Sequence, residues 1–405
     1  MEVFTELRIR KQWAIVLLVS SMALASFIGG YLIARLTIAP STITVVETFT
    51  ETSKDRYWNA TKDLLDYVMR WVEKDRGLKF NRSVELVVLT REWVVEHWGL
   101  GYLNLTEVKI KEELYKALFM VPESYNLTRV KLGQSGCTVA ASAGNTIYVI
   151  KEYFDPSKRL QAGRVLAHEL THILQGAYFK IPRGSFHDER QAIRAVVEGD
   201  ADLVALDYFL EHGGKAEARG HEEGFDPVTS IWLFPYLYGR EFVQYLRGLG
   251  GWEKVDEVYL RMPRSTAEIL HPEKYVEGWE PRRVEFATEV GEDWRILLRD
   301  RLGEFFIRQM LRAHLPMKIA VKAAEGWSGD LIEYYERGDR RLLRWKIVWE
   351  SGEELEEFLE AFTQLLERIN AEKVAENRWR WDDRIIDLRV EDLSITLTEN
   401  FEIER

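Results

Sequence analysis

The chain has 405 residues, enough for one large core or two modest ones, and at 46% hydrophobic residues its composition is that of a folded protein. Its 66 acidic against 55 basic residues give a net charge of -11, which argues against a nucleic-acid partner. A single cysteine, Cys137, excludes an intrachain disulfide and reads as a small buried residue, while a charged share of 30% is of the kind thermophile proteins carry.

In chain order, the first element is Trp13 to Ala34, 22 residues without one charge. As a helix this run is about 33 Å long, enough to cross a hydrocarbon layer of about 30 Å. Arg8, Arg10 and Lys11 precede it, and after Arg35 no basic residue follows until Lys54. The asymmetry predicts a single-pass signal anchor in the cell membrane over residues 13–34, with residues 1–12 cytoplasmic and the remainder extracytoplasmic. The run is also longer than the apolar region of a cleaved signal peptide. Residues 35–53, rich in Thr and Ser, read as a stalk. Asn59, Asn81, Asn104 and Asn126 each open an N-x-[ST] sequon, in keeping with placement outside the cytoplasm.

The pattern then predicts a helix over residues 55–72, a strand over 84–89 and a helix over 107–120. After the small residues of 136–144, residues 145–150 read as a strand. We expect it at the edge of a small sheet, where it could pair with an extended peptide. Asp155-Pro156-Ser157-Lys158 looks like a helix start, and Leu166, Leu170, Ile173, Leu174 and Ala177 follow at helical spacing.

Inside that helix stands His168-Glu169-Leu170-Thr171-His172, an H-E-x-x-H motif. Residues i and i+4 of a helix share a face, so both imidazoles can reach one zinc ion. Glu169 can then take a proton from a water that the metal has acidified to a pKa of about 7. Gln175 shares the histidine stripe, and Gln161 and Arg164 lie upstream near the same side. Catalytic zinc takes a third protein ligand. The longer H-E-x-x-H-x-x-G-x-x-H pattern fails, because Gln175 and Tyr178 occupy its Gly and His positions. A second helix is expected over 188–210, where Ala195, Glu198, Asp202, Ala205 and Phe209 form one stripe. Glu198 is the expected third ligand, and Asp202, one turn on, could accept the free N–H of a ligating imidazole.

H-E-x-x-H followed by E-x-x-x-D on the next helix resembles the gluzincins, the thermolysin-like branch of zinc peptidases, and in particular membrane-anchored prokaryotic members. The resemblance covers roughly residues 140–275, with a longer segment between the motifs than in thermolysin itself, which leaves the subfamily open. It implies His168, His172 and Glu198 as Zn²⁺ ligands, Glu169 as general base and Asp202 as support for a ligand. For the donor to the developing oxyanion the candidates are Tyr238 and His271, with Tyr236 and Arg240 beside them. His187 and His221 read as loop histidines.

Beyond residue 276 a helix over 304–314, strands over 331–335 and 342–349 around a turn at Gly338-Asp339, a helix over 353–369, and strands over 384–390 and 393–397 suggest a small ββαββ unit. The whole reads as an α+β chain: a transmembrane helix, a mostly helical zincin-like catalytic domain with a small edge-stranded sheet over 54–275, and a small α+β domain within 276–405. The function expected is a membrane-anchored extracytoplasmic zinc metallopeptidase acting on a peptide or protein. A cell-surface binding or scaffold protein with a structural or vestigial zinc site stays open, as does a zinc amidase acting on non-peptide amides.

Overall fold

Leu64, Leu65, Val68 and Val72 recur at helical spacing, and all four are fully buried along one face of helix α1 (Glu51–Arg76). The computed structural model describes residues 51–98, 104–135, 138–215 and 224–402. The expected anchor over 13–34, residues 1–12 before it, most of residues 35–53, Cys137 and His221 lie outside the described residues.

Three strands, β1 (Glu85–Leu89), β2 (Ala140–Ala143) and β3 (Thr146–Ile150), form a sheet of order β1-β3-β2, with β1 parallel and β2 antiparallel to β3. The expectation of residues 145–150 at the sheet edge is corrected: β3 is hydrogen-bonded on both sides. Strands β1 and β2 take its two edges, and both faces are covered as well: Ile147 and Val149 join the core under α1 while Tyr148 and Ile150 pack toward helix α2 (Arg91–Trp98). The edge beside the H-E-x-x-H helix is β2, whose Ala-Ala-Ser-Ala sequence lets that helix come close. Helices α3 (Leu105–Ala117) and α4 (Leu127–Ser135) complete this part of the chain.

Helix α5 (Arg159–Tyr178) carries H-E-x-x-H, α6 (His187–Glu211) carries Glu198, and α7 (Pro227–Val258) follows. Gln175 bonds the carbonyl of Val197 while Arg164 faces Asp202, so numbers rise on α5 as they fall on α6 and the two run antiparallel. Helices α6 and α7 run parallel: Gln191 donates to the carbonyl of Ile231 and Arg247 to Asp207, each pair 40 residues apart. They touch backbone to backbone. A Cβ on Gly199 would lie 2.2 Å from the carbonyl of Gly239, and one on Gly239 would lie 2.1 Å from the oxygen of Ala195. Helix α7 breaks at Gly250 and at Gly251, whose φ of 68° is in the left-handed region.

After α8 (Thr266–Leu270) and α9 (Pro272–Glu277) come β4 (Arg295–Asp300), α10 (Glu304–Arg312), α11 (Met317–Ala324), β5 (Trp327–Arg337), β6 (Arg340–Trp349), α12 (Gly352–Arg368), β7 (Glu372–Ala375), β8 (Arg378–Trp381), β9 (Arg384–Glu391) and β10 (Ser394–Glu402). The fold-class expectation is corrected here. In place of a ββαββ unit stands a seven-stranded antiparallel sheet of order β4-β5-β6-β10-β9-β8-β7. The four strands that the hydrophobic pattern showed are its middle. Strand β4 is half-exposed, and the four-residue β7 and β8 mix charges with apolar residues, so their pattern was too short and too polar to read. Among the described residues no helix is long and apolar enough to cross a membrane.

One apolar cluster joins Phe234 and Phe242 of α7 to Phe305 and Phe306 of α10 and to Trp327, Trp345 and Trp349 of the sheet. A polar clamp reinforces it. Asp330 of β5 accepts from the backbone N–H of Leu302 and Gly303 and from the indoles of Trp327 and Trp345. Asp188, in the first turn of α6, accepts from the N–H and hydroxyl of Thr266 and from Arg301. The sheet thereby anchors the start of the helix that carries Glu198.

Two predictions follow from this packing. Gly239→Ala forces α6 and α7 apart and should cost about 1–3 kcal/mol, read as a lower urea midpoint with an unchanged slope. Glu399 of β10 is fully buried, and burial pushes its carboxyl from the ordinary 4.5 up to about 8 although Arg384 lies 3.3 Å away and opposes it. The native state then keeps a proton that the unfolded chain loses, so this contribution is full below 4.5 and falls as pH rises through 8. Wild-type protein should lose more of its urea midpoint between about pH 6 and about pH 9 than Glu399→Gln does.

Candidate metal centre

The i, i+4 spacing on α5 sets the imidazoles of His168 and His172 side by side, their Nε2 atoms 3.1 Å apart and their rings nearly perpendicular. Because α6 crosses antiparallel, Glu198 closes the third corner: its Oε2 lies 3.5 Å from the Nε2 of each histidine. Three ligand atoms bound at about 2.0–2.1 Å to one tetrahedral ion lie about 3.3–3.4 Å apart, so this triangle has the dimensions of a coordination site. Among the described residues it is the one group of His, Cys, Asp or Glu that meets such a spacing. His168 and Glu198 are 3% exposed. Glu198 Oε2 is buried without a hydrogen-bond partner, which costs about 1–3 kcal/mol or more for a charged group unless something positive meets it. The donor set and the orphaned oxygen fit a metal ion.

The electrostatics agree. Burial opposes a proton on His172, but the carboxylates of Glu198 and Glu169 and the amide of Gln175 outweigh it and push the ring up to about 9. Burial also opposes charge on Glu198, yet the two histidines hold its carboxyl well below the usual range. As the side chains stand, Glu198 is ionised and draws positive charge to the corner. A metal ion must displace the proton it attracts to His172.

Glu169 is fully buried. Its Oε2 accepts from the hydroxyl of Ser142 on β2 at 2.8 Å, while Oε1 has no hydrogen-bond partner. One oxygen is thus held and the other is available. On the far side of His172, Nδ1 lies 2.7 Å from Oε1 of Gln175, whose amide nitrogen donates to the carbonyl of Val197 and to Asp200. At this imidazole the neighbour is Gln175. Asp202 faces guanidinium groups, Arg240 at 3.4 Å and Arg164 at 3.9 Å.

Tyr238 and His271 have partners on α10. The Tyr238 hydroxyl accepts from Arg308 at 3.1 Å, and its ring packs against Phe234 and Phe305. His271 joins α8 to α9, with Nε2 2.8 Å from Glu304, a contact that raises its pKa against burial. Tyr236 is buried among Phe225, Leu233 and Leu237. His187 is the first residue of α6 and its ring meets Phe306 edge-on. The structure therefore brings His168, Glu169, His172 and Glu198 together and adds Ser142, Gln175, Asp200 and Arg76. Gln175 could have been found, since it shares the histidine stripe. Asp200 lies two residues from Glu198, off its i, i+3, i+4 stripe, and no local pattern marks Arg76 or Ser142.

A family model described as a domain of unknown function (DUF8575) matches residues 295–401, the span of the seven-stranded sheet. No curated protein matches the chain.

The triangle makes a direct prediction. A divalent transition metal at a hundred times its Kd should stabilise the protein by about 2.7 kcal/mol, seen as a raised melting temperature that chelator reverses. His172→Ala and Glu198→Ala should each abolish the shift; a wild-type melting temperature indifferent to metal would overturn the site.

Proposed function

We propose that this chain is a zinc-dependent hydrolase of gluzincin type that cleaves peptide bonds. The observation that carries the reading is the buried Glu169 beside the His168–His172–Glu198 triangle, with one carboxylate oxygen held by Ser142 and the other unbonded. A site serving structure alone has no need of such a base and is usually closed by a fourth ligand.

Zinc held by His168, His172 and Glu198 would supply Lewis acidity, lowering the pKa of a water and polarising the substrate carbonyl. The chain's own residues do the rest. Glu169 takes the proton of the attacking water on its free oxygen and hands it to the departing amide nitrogen, so no proton need come from bulk solvent. Ser142 holds the carboxylate in one rotamer through that exchange. The edge strand β2 next to the base offers backbone groups to an extended peptide, which is how a chain without a preferred side chain would be aligned. Arg164 and Arg240 both pair with Asp202, one turn from Glu198. The dry setting strengthens every charge in the site.

The test is cleavage of an unfolded protein such as casein by the full chain, with and without chelator. Activity should vanish on metal removal and return with zinc. Glu169→Gln should keep the metal-dependent melting shift and lose about 10²–10⁴-fold in rate; turnover retained in that variant excludes Glu169 as the base. Metal binding without hydrolysis of peptides or other amides favours a binding or scaffold role.

A further inference from the structure

The metal triangle leans on a chain of hydrogen bonds that begins far from it in sequence. Arg76, at the end of α1, is 2% exposed and grips Asp200 in bidentate fashion, at 3.0 and 3.2 Å. It also donates to Asp256 at 2.7 Å. Asp200, fully buried, accepts in addition from the Tyr259 hydroxyl at 2.7 Å and from the amide nitrogen of Gln175 at 3.1 Å. That same nitrogen donates to the carbonyl of Val197 at 2.9 Å. A carboxylate and a carbonyl can only accept, so together they require the nitrogen of Gln175 on their side. Its oxygen must then face His172 Nδ1, 2.7 Å away. An amide oxygen also only accepts, so Nδ1 of the ring carries a hydrogen, and Nε2 is the ring atom that faces the corner shared with His168 and Glu198. Flipping the Gln175 amide would set oxygen against both Asp200 and the Val197 carbonyl.

We propose that Arg76, Asp200 and Gln175 form a positioning relay that locks His172 into the Nδ1–H tautomer and makes its Nε2 the metal-binding atom. The relay rests on the metal reading of the triangle and gives α1 a part in it. An arginine suits the far end because its guanidinium keeps its charge when buried and matches a carboxylate with two parallel bonds. With Asp200 kept anionic in this way, the orientation of Gln175 is decided by charge and not by the weaker pull of one carbonyl.

The experiment measures zinc affinity of the full chain by chelator competition. Gln175→Met keeps the volume and removes the acceptor; it should weaken binding about 10–100-fold, the usual cost of losing a ligand's hydrogen-bond partner. Asp200→Asn should also weaken binding, although residue 200 does not touch the imidazole. Its effect should disappear in the Gln175→Met background, because both act through one bond. A folded Gln175→Met protein that binds zinc within about twofold of wild type overturns the relay, as do effects that multiply in the double variant. Should either variant fail to fold, NMR of the histidine ring nitrogens in zinc-loaded wild-type protein decides. A protonated Nδ1 with metal on Nε2 supports the relay, and metal on Nδ1 overturns it. Affinity and ring state are read without turnover, so failure of the relay is distinguished from failure of the peptidase reading.

Discussion

The constraint on which this structure depends is the burial of acid. Glu169, Glu198 and Asp200 sit on two adjacent helices at no more than 3% exposure. An ionised carboxylate away from water costs several kcal/mol unless an opposite charge or a set of donors meets it. Each carboxylate therefore recruits a different part of the chain. Asp200 takes Arg76 from α1 and Tyr259 from beyond α7, Glu169 takes Ser142 from β2, and Glu198 takes the two imidazoles of α5. The convergence of α1, β2, α5, α6 and α7 on one point is the geometrical form of that requirement.

Close approach of the helices is the second half of the same solution. Glycine at 199 and 239 lets the backbones of α6 and α7 touch, and that contact presses α6 into place beside α5. The C-terminal sheet adds to it from the other end. Through Asp188 and Asp330 it ties the segment 300–303 to the first turn of α6, and its tryptophans share a core with α7 and α10. A region that carries no part of the metal triangle therefore contributes to the rigidity on which a site tolerant of only small displacements relies.

Much of the site was legible and some of the fold was not, for reasons of scale. His168, Glu169 and His172 are tied by one helical turn, and Glu198 by the stripe of the next helix, so spacing alone groups them. Asp202 was expected beside a ligating imidazole because it stands one turn beyond Glu198; at His172 the neighbour is Gln175 of the same helix, which its place on the histidine stripe already allowed. The sheet is a similar case. The patterned stretches 331–335 and 342–349 within β5 and β6 stand out from sequence, but β4, β7 and β8 take their identity from the neighbour they pair with. Residues 145–150 were recognisable as a strand. Their place in the middle of the sheet was not, since Ala140 to Ala143 has no pattern beyond small size.

By itself the sequence determined the local elements: the H-E-x-x-H helix, the Glu198 helix, the amphipathic α12 and the hairpin around Gly338-Asp339. All of these are governed by interactions within about a turn of helix or a pair of strands. The tertiary structure decided which of the buried acids became a neighbour of the metal triangle and which a structural anchor. Arg76 meets Asp200 across 124 residues of chain, and Arg384 meets Glu123 across 261. Ion pairs of that kind depend on how elements pack, and packing is a property of the assembled core that no window of the sequence contains.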